Sequence, residues 1–202
     1  MTAEPLIKDG QKIVFLGNSI TKAPNGYVSV TQAIIGAVLP EMRLKFINAG
    51  VDGDRITDIL ERIGPDVIAH DPDWITVSVG INDVWHGING TPLEIFTEKY
   101  DELVCRLKNQ TVANLALFTT TVIGEDLENE TNRRLVAYND VIRRVASRYK
   151  CLLVPINEAF QGAIRAWHKS GNCLKFTTDG VHMTASGDHL MALTLLKAWK
   201  VL

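Results

Sequence analysis

The stretch KIVFLGNSITK (residues 12–22) runs four apolar residues, Ile13 to Leu16, into a glycine and turns polar at once with Asn18-Ser19. A continuous apolar run without polar alternation is expected of a strand covered on both faces. Such a strand carries its serine to the edge of a buried sheet. Similar runs recur at 44–50 (LKFINAG), 74–80 (WITVSVG), 114–120 (NLALFTT) and 151–157 (CLLVPIN). Between them lie helical patterns. Leu93, Phe96, Tyr100, Leu103 and Leu107 fall at alternating steps of three and four, as do Leu135, Tyr138, Ile142, Val145 and Tyr149. Each set marks one apolar face of an amphipathic helix. The second helix leaves Arg133, Arg134, Arg143, Arg144 and Arg148 to solvent. A last helix is expected from Thr184, an N-cap, to Lys200. Strands alternating with helices predict an α/β fold, a three-layer α/β/α sandwich around a parallel sheet of about five strands. In such sheets ligands bind at the carboxyl ends of the strands.

The remaining composition narrows the function. With 202 residues and no repeat or linker, the chain reads as a single domain over 1–202. A formal net charge of −2 gives no reason to expect a nucleic-acid partner. No apolar run approaches the roughly 18 residues of a membrane span, so no membrane insertion is expected. The N-terminus MTAEPLIKDGQ lacks a signal-peptide pattern, and Cys105, Cys151 and Cys173 match no zinc spacing. Reduced thiols and a cytoplasmic location are the expectation. The sequence sets no oligomeric state.

At the strand ends the chemistry gathers. The first strand delivers Gly17-Asn18-Ser19, the second leads into NAGVDGDRITDILER, the third into GINDVWHG, and TTDGVHMTASG places Asp179 three residues before His182. A serine hydroxyl attacks a carbonyl only if a neighbouring imidazole accepts its proton. The imidazole must be held in one tautomer, and a carboxylate three residues earlier can curl back to its Nδ1–H. The oxyanion that forms needs preorganised donors. The backbone N–H groups of Ser19 and Gly53 and the side-chain amide of Asn82 are the candidates.

Taken in order, GNSI, GVDGDRITDILER, GIND and DGVH resemble the blocks of the SGNH hydrolase superfamily, the GDSL-type esterases and lipases. The resemblance spans positions 17 to 182. It implies Ser19 as nucleophile, Asp179 and His182 as the acid–base pair, and Ser19, Gly53 and Asn82 as the oxyanion hole. It also implies a flavodoxin-like sheet, a carboxylic ester hydrolase and no cofactor. The family carries Asp where this chain has Asn18, a nearly isosteric change that removes one negative charge. Gly50 and Gly53 both precede the second-block helix. The family rhythm G-x-S-G-D-T favours Gly53 and gives Gly50 a structural place.

Trp85 and His86 are candidates for substrate contact, Trp85 being equally a packing residue under its loop. His70, His168 and His189 read as surface or capping residues. Asp71 and Asp73 flank Pro72 in a turn without convergent partners, so no metal is expected. The acidic tract GEDLENET (124–131) reads either as a solvated loop or as one overhanging the site. The expected substrate is a small-molecule ester with a short, acetyl-like acyl group, carried by a sugar in one reading. Lysophospholipid or thioester hydrolysis is the alternative within the superfamily. A non-catalytic flavodoxin-like module binding phosphate at GNSITK is the alternative outside it. That module would leave Asn82, Asp179 and His182 unexplained.

Overall fold

The computed structural model of the chain describes residues 4–171 and 174–202. Parallel strands β1 (Lys12–Gly17), β2 (Lys45–Gly50), β3 (Trp74–Ser78), β4 (Asn114–Phe118) and β5 (Leu152–Val154) form a sheet in the order β2-β1-β3-β4-β5. This is the flavodoxin-like order, in which β1 and β3 are neighbours and the chain reverses direction across the sheet. Between the strands come α1 (Ser19–Lys22), α2 (Tyr27–Val38), α3 (Ile56–Asp66), α4 (Ile81–Trp85), α5 (Leu93–Gln110) and α6 (Glu130–Arg148). After β5 follow α7 (Ile156–Ser170) and α8 (Ala185–Ala198). Helices α2, α7 and α8 pack together on one face, and α3, α5 and α6 on the other.

The apolar runs behave as their patterns require. Ile13 to Leu16 are fully buried, as are Phe96, Tyr100, Leu103 and Leu107 along α5. Under α2 and α8 an aromatic cluster closes the core, with Phe15 against Tyr27 and Trp199, and Trp199 against Trp74. Edge-to-face packing of such rings adds about 0.5–1.5 kcal/mol per pair beyond area burial.

Several boundaries differ from the sequence expectation, each for a local reason. Strand β2 is the sheet edge, so Phe46 and Ile47 are only half-buried. Strand β3 ends at Ser78 because Gly80, at φ 120°, turns the chain into α4, which places Asn82 on a short helix rather than in a loop. Strand β5 stops at Val154 because Pro155 offers no N–H to continue a ladder and instead begins α7. The last helix is capped by the Thr184 hydroxyl, which accepts from the Gly187 N–H, and it ends at Ala198. Arg143 and Arg148 on α6 do not simply face water: Arg143 pairs with Asp140 and Glu158, and Arg148 with Asp101. Cys105 and Cys151 are free thiols, and Cys173 lies outside the described residues.

Candidate active site

Ser19 is the first residue of α1, immediately beyond the buried end of β1. Asn18 caps that helix: its side-chain oxygen accepts from the Ile20 N–H at 3.1 Å, and its carbonyl accepts from the Lys22 N–H at 2.9 Å. The neutral amide therefore does the capping that a carboxylate would do. In this turn the Ser19 N–H has no hydrogen-bond partner among the described residues.

Asp179 and His182 arrive from the opposite end of the chain, on a tight hairpin closed by the antiparallel bridge of Thr177 to Met183. The Thr178 N–H donates to the His182 carbonyl at 2.8 Å, and the Thr184 N–H to the Phe176 carbonyl at 2.9 Å. Across the site, Ser19 Oγ lies 3.1 Å from His182 Nε2, and His182 Nδ1 lies 2.7 Å from Asp179 Oδ2. The other carboxylate oxygen of Asp179 accepts from the N–H groups of Val181 at 3.0 Å and His182 at 2.8 Å. The hydrogen bond from the His182 side chain, helped by those two backbone N–H groups, holds the Asp179 carboxyl down to about 2. An ionised carboxylate only accepts, so in the neutral imidazole the proton sits on Nδ1 and leaves Nε2 as an acceptor for the Ser19 hydroxyl. The pair is open to solvent, with the His182 and Asp179 side chains 42% and 49% exposed.

The second and third strand ends supply the remaining donors. The two glycines of the second block separate cleanly. A Cβ on Gly50 would stand 2.3 Å from the backbone nitrogen of Lys22, and the Gly50 N–H already donates to Asn48 Oδ1 at 3.0 Å. Gly50 lets two chain segments touch. Gly53 is solvent-exposed at φ +79°, and its N–H has no partner among the described residues. Buried Asn82 donates one hydrogen of its amide to the Asp54 carbonyl at 2.9 Å, which orients the group and leaves the second hydrogen for a ligand. Asp83 beside it accepts from the Ile56 N–H at 3.1 Å, joining α4 to the start of α3. Burial pushes the Asp83 carboxyl up.

Trp85 stands over the imidazole edge-to-face, its ring centroid 6.0 Å from that of His182 and the planes at 87°, with 41% of the residue exposed. The His86 ring lies 5.7 Å from the same indole, tilted at 42° to it. His70 lies in the short turn before β3, and His168 and His189 are exposed on α7 and α8. Asp73 accepts from the Lys12 N–H at 2.8 Å. No group of three or more His, Cys, Asp or Glu side chains arranged to hold a metal ion occurs among the described residues.

Sequence reading missed one residue that organises this end of the sheet. Arg62 on α3 donates to the carbonyls of Gly17 and Ala49, both at 2.9 Å, and pairs with Asp54 at 2.6 Å and Asp66 at 2.9 Å. One guanidinium thus ties the carboxyl ends of β1 and β2, at Gly17 and Ala49, to the loop that carries Gly53. In sequence it is one more charged residue on an amphipathic helix.

The sequence model of the GDSL-like lipase/acylhydrolase family matches residues 15–190. The chain belongs to that family. It is accordingly a carboxylic ester hydrolase, and a serine nucleophile is typical of its relatives. The phosphate-binding module considered from the sequence falls with this assignment. An acetylxylan esterase of Geobacillus stearothermophilus is 26% identical over 211 residues, covering 95% of this chain and 94% of the relative. The crystal structure of an acetylxylan esterase from the same organism superposes with a TM-score of 0.86 at 26% identity, covering 96% of this chain and 95% of that one. Further structures of that esterase carry catalytic mutations at a serine, an aspartate and a histidine. An α/β hydrolase enzyme, LAE5, from the metagenome of Lake Arreo, Spain, superposes with a TM-score of 0.88 at 29% identity, covering 97% and 98% of the two chains.

Proposed function

We propose that this hydrolase is a serine acetylesterase acting on O-acetyl groups of carbohydrate, with Ser19 as nucleophile, His182 as general base and acid, and Asp179 as the group that orients the imidazole. The observation that carries the reading is the continuous path from Ser19 Oγ through both imidazole nitrogens to Asp179, with its 3.1 and 2.7 Å contacts.

In the first half-reaction Ser19 Oγ attacks the ester carbonyl carbon as His182 Nε2 takes the hydroxyl proton. The carbonyl oxygen becomes an oxyanion received by the Ser19 N–H, the Gly53 N–H and the free amide hydrogen of Asn82. Collapse breaks the bond to the alcohol oxygen, which leaves with the proton from His182. A water molecule then attacks the acyl-serine while Nε2 takes its proton. A second collapse releases the acid and returns the hydrogen to Ser19 Oγ.

Two features favour a short acyl group on a bulky polar alcohol. The acid–base pair sits at an open rim, which admits an acetyl group projecting from a larger body. Trp85 gives that rim an exposed aromatic face of the sort on which a sugar ring rests, with His86 beside it. The acetylxylan esterase likeness points the same way. Hydrolysis of p-nitrophenyl acetate, butyrate and octanoate, alongside acetylated xylo-oligosaccharide, tests the proposal. The acetate ester and the acetylated sugar are expected to turn over fastest, and Ser19→Ala is expected to abolish both activities. A preference for octanoate would favour the lysophospholipase reading instead.

A further inference from the structure

The acidic tract at 124–131 divides in the structure. Asp126, Glu128 and Glu130 are exposed, whereas Glu125 turns inward and is half-buried. Its Oε1 accepts from the N–H of Phe176 at 2.7 Å, the N–H of Thr177 at 3.0 Å and the Thr177 hydroxyl at 3.3 Å. Those donors lie on the first arm of the hairpin that carries Asp179 and His182. The neighbouring Gly124 N–H donates to the Gly180 carbonyl at 2.7 Å, on the turn between Asp179 and Val181. Residues 124 and 125 therefore grip the hairpin at its base and at its tip.

The grip is itself anchored. Asn132, in the first turns of α6, accepts from the Ile123 N–H at 2.9 Å and donates to the Asp126 carbonyl at 2.8 Å. Asn129 donates to the Ile123 carbonyl at 2.7 Å. Helix α6 packs on α5 and directly on β4 and β5, burying its own apolar face in the core. The hairpin has one bridge of its own and no place in the sheet: Phe176 and Val181 seat it in the core, Phe176 edge-to-face on Phe160 of α7, and the contacts with residues 124 and 125 are the polar ties that fix its first arm and its tip.

We propose that Glu125 is a positioning residue for the reaction: it holds the hairpin so that His182 Nε2 stays within hydrogen-bond reach of Ser19. The inference rests on the roles given above to Ser19, Asp179 and His182. A carboxylate bound to backbone N–H groups makes charge-assisted bonds, stronger than neutral ones, and a displacement of about 1 Å in a catalytic group can cost about 10²-fold in rate.

Steady-state kinetics on p-nitrophenyl acetate for Glu125→Ala and Glu125→Gln, with the downfield proton resonance of the His182 Nδ1–H, provide the test. The alanine variant is expected to lose about 10–100-fold in kcat with KM within about twofold, and to lose the resonance. The glutamine variant keeps an acceptor oxygen at the same reach and is expected to retain both rate and resonance. Wild-type kcat in a folded alanine variant overturns the proposal, as does an equal loss in both variants accompanied by a raised KM. Where the alanine variant does not fold, Glu125→Asp decides, because it withdraws the carboxylate by about 1.5 Å: reduced kcat at unchanged KM supports the role, and wild-type kcat overturns it. His182→Ala run in parallel separates the two layers. If His182→Ala still turns over, the assignment of the site fails. If it is silent while Glu125→Ala matches wild type, only the positioning role fails.

Discussion

The two halves of the site are built on opposite plans. Ser19 and Asn82 lie at the ends of β1 and β3, neighbouring strands whose residues are almost all buried, so the sheet itself sets their positions. Asp179 and His182 ride at the open rim on a hairpin outside the sheet, seated on the core by Phe176 and Val181 and fastened by hydrogen bonds to the loop after β4. The place of Ser19 follows from topology. The place of His182 follows from the burial of Phe176 and Val181 together with a few polar contacts, of which the carboxylate of Glu125 is the one a single substitution removes. Asp188 marks a joint between the halves: it is buried in the first turn of α8, just past the hairpin, where α8 packs on α2, the helix that follows the loop of Ser19.

Three substitutions, one of them paired with a control at Arg143, probe this contrast. Asn82→Ala removes a donor from the strand-end half while leaving the Ser19–His182–Asp179 contacts intact. A fall of about 10²–10³ in kcat is expected, with a much smaller change in KM. A variant with near-wild-type kcat would take Asn82 out of the oxyanion hole.

Arg62→Ala breaks the brace beneath the same half. Its pair with Asp54 is well buried, the side chains being 16% and 9% exposed, and burial already pushes the Asp54 carboxyl up against the opposing pull of Arg62. Removing one partner of a buried pair costs about 3–5 kcal/mol, and a matching fall in the urea midpoint should appear. Arg143→Ala, which breaks more exposed pairs with Glu158 and Asp140, should cost less than about 1 kcal/mol. Equal losses in the two variants would contradict the claim that the strand ends depend on a buried tie.

Asp188→Asn sharpens the picture at the joint. Desolvation pushes the Asp188 carboxyl up to about 6, and its Oδ1 has no hydrogen-bond partner among the described residues. A raised folded-state value means that the native protein binds the proton more tightly than the unfolded chain does. The stabilisation is complete below about 4 and is lost as pH rises through about 6. The asparagine variant does not ionise, so it should be more stable than wild type at pH 8 by about 1–2 kcal/mol, or about 2–8 °C in Tm. The difference should vanish at about pH 4. A constant gap at both pH values would place the effect elsewhere.

Much of this architecture was legible before the structure. Apolar runs such as Ile13 to Leu16 can hardly be anything but covered strands, and the α/β alternation then directs attention to their carboxyl ends. The residues picked out there, Ser19, Asp179 and His182, meet in space although 163 positions separate the serine from the histidine. The fastenings were not legible. Glu125 sits in a tract with three other acidic side chains, and which of them turns inward depends on where Phe176 and Thr177 come to lie. Arg62 pairs with Asp66 one turn along its own helix, but its other acceptors lie 8, 13 and 45 positions away, beyond any helical periodicity. Local pattern reports burial, whereas a polar tie is a property of the assembled fold.

The central claim is that Ser19 is the nucleophile and that the hairpin activates it. Labelling with a serine-directed fluorophosphonate, followed by peptide mapping, tests it most directly in wild type, Ser19→Ala and His182→Ala. A single adduct on the peptide containing Ser19, absent from the alanine variant and formed far more slowly without His182, is the predicted result. An adduct on another residue, or labelling of Ser19 at an unchanged rate in His182→Ala, would contradict it.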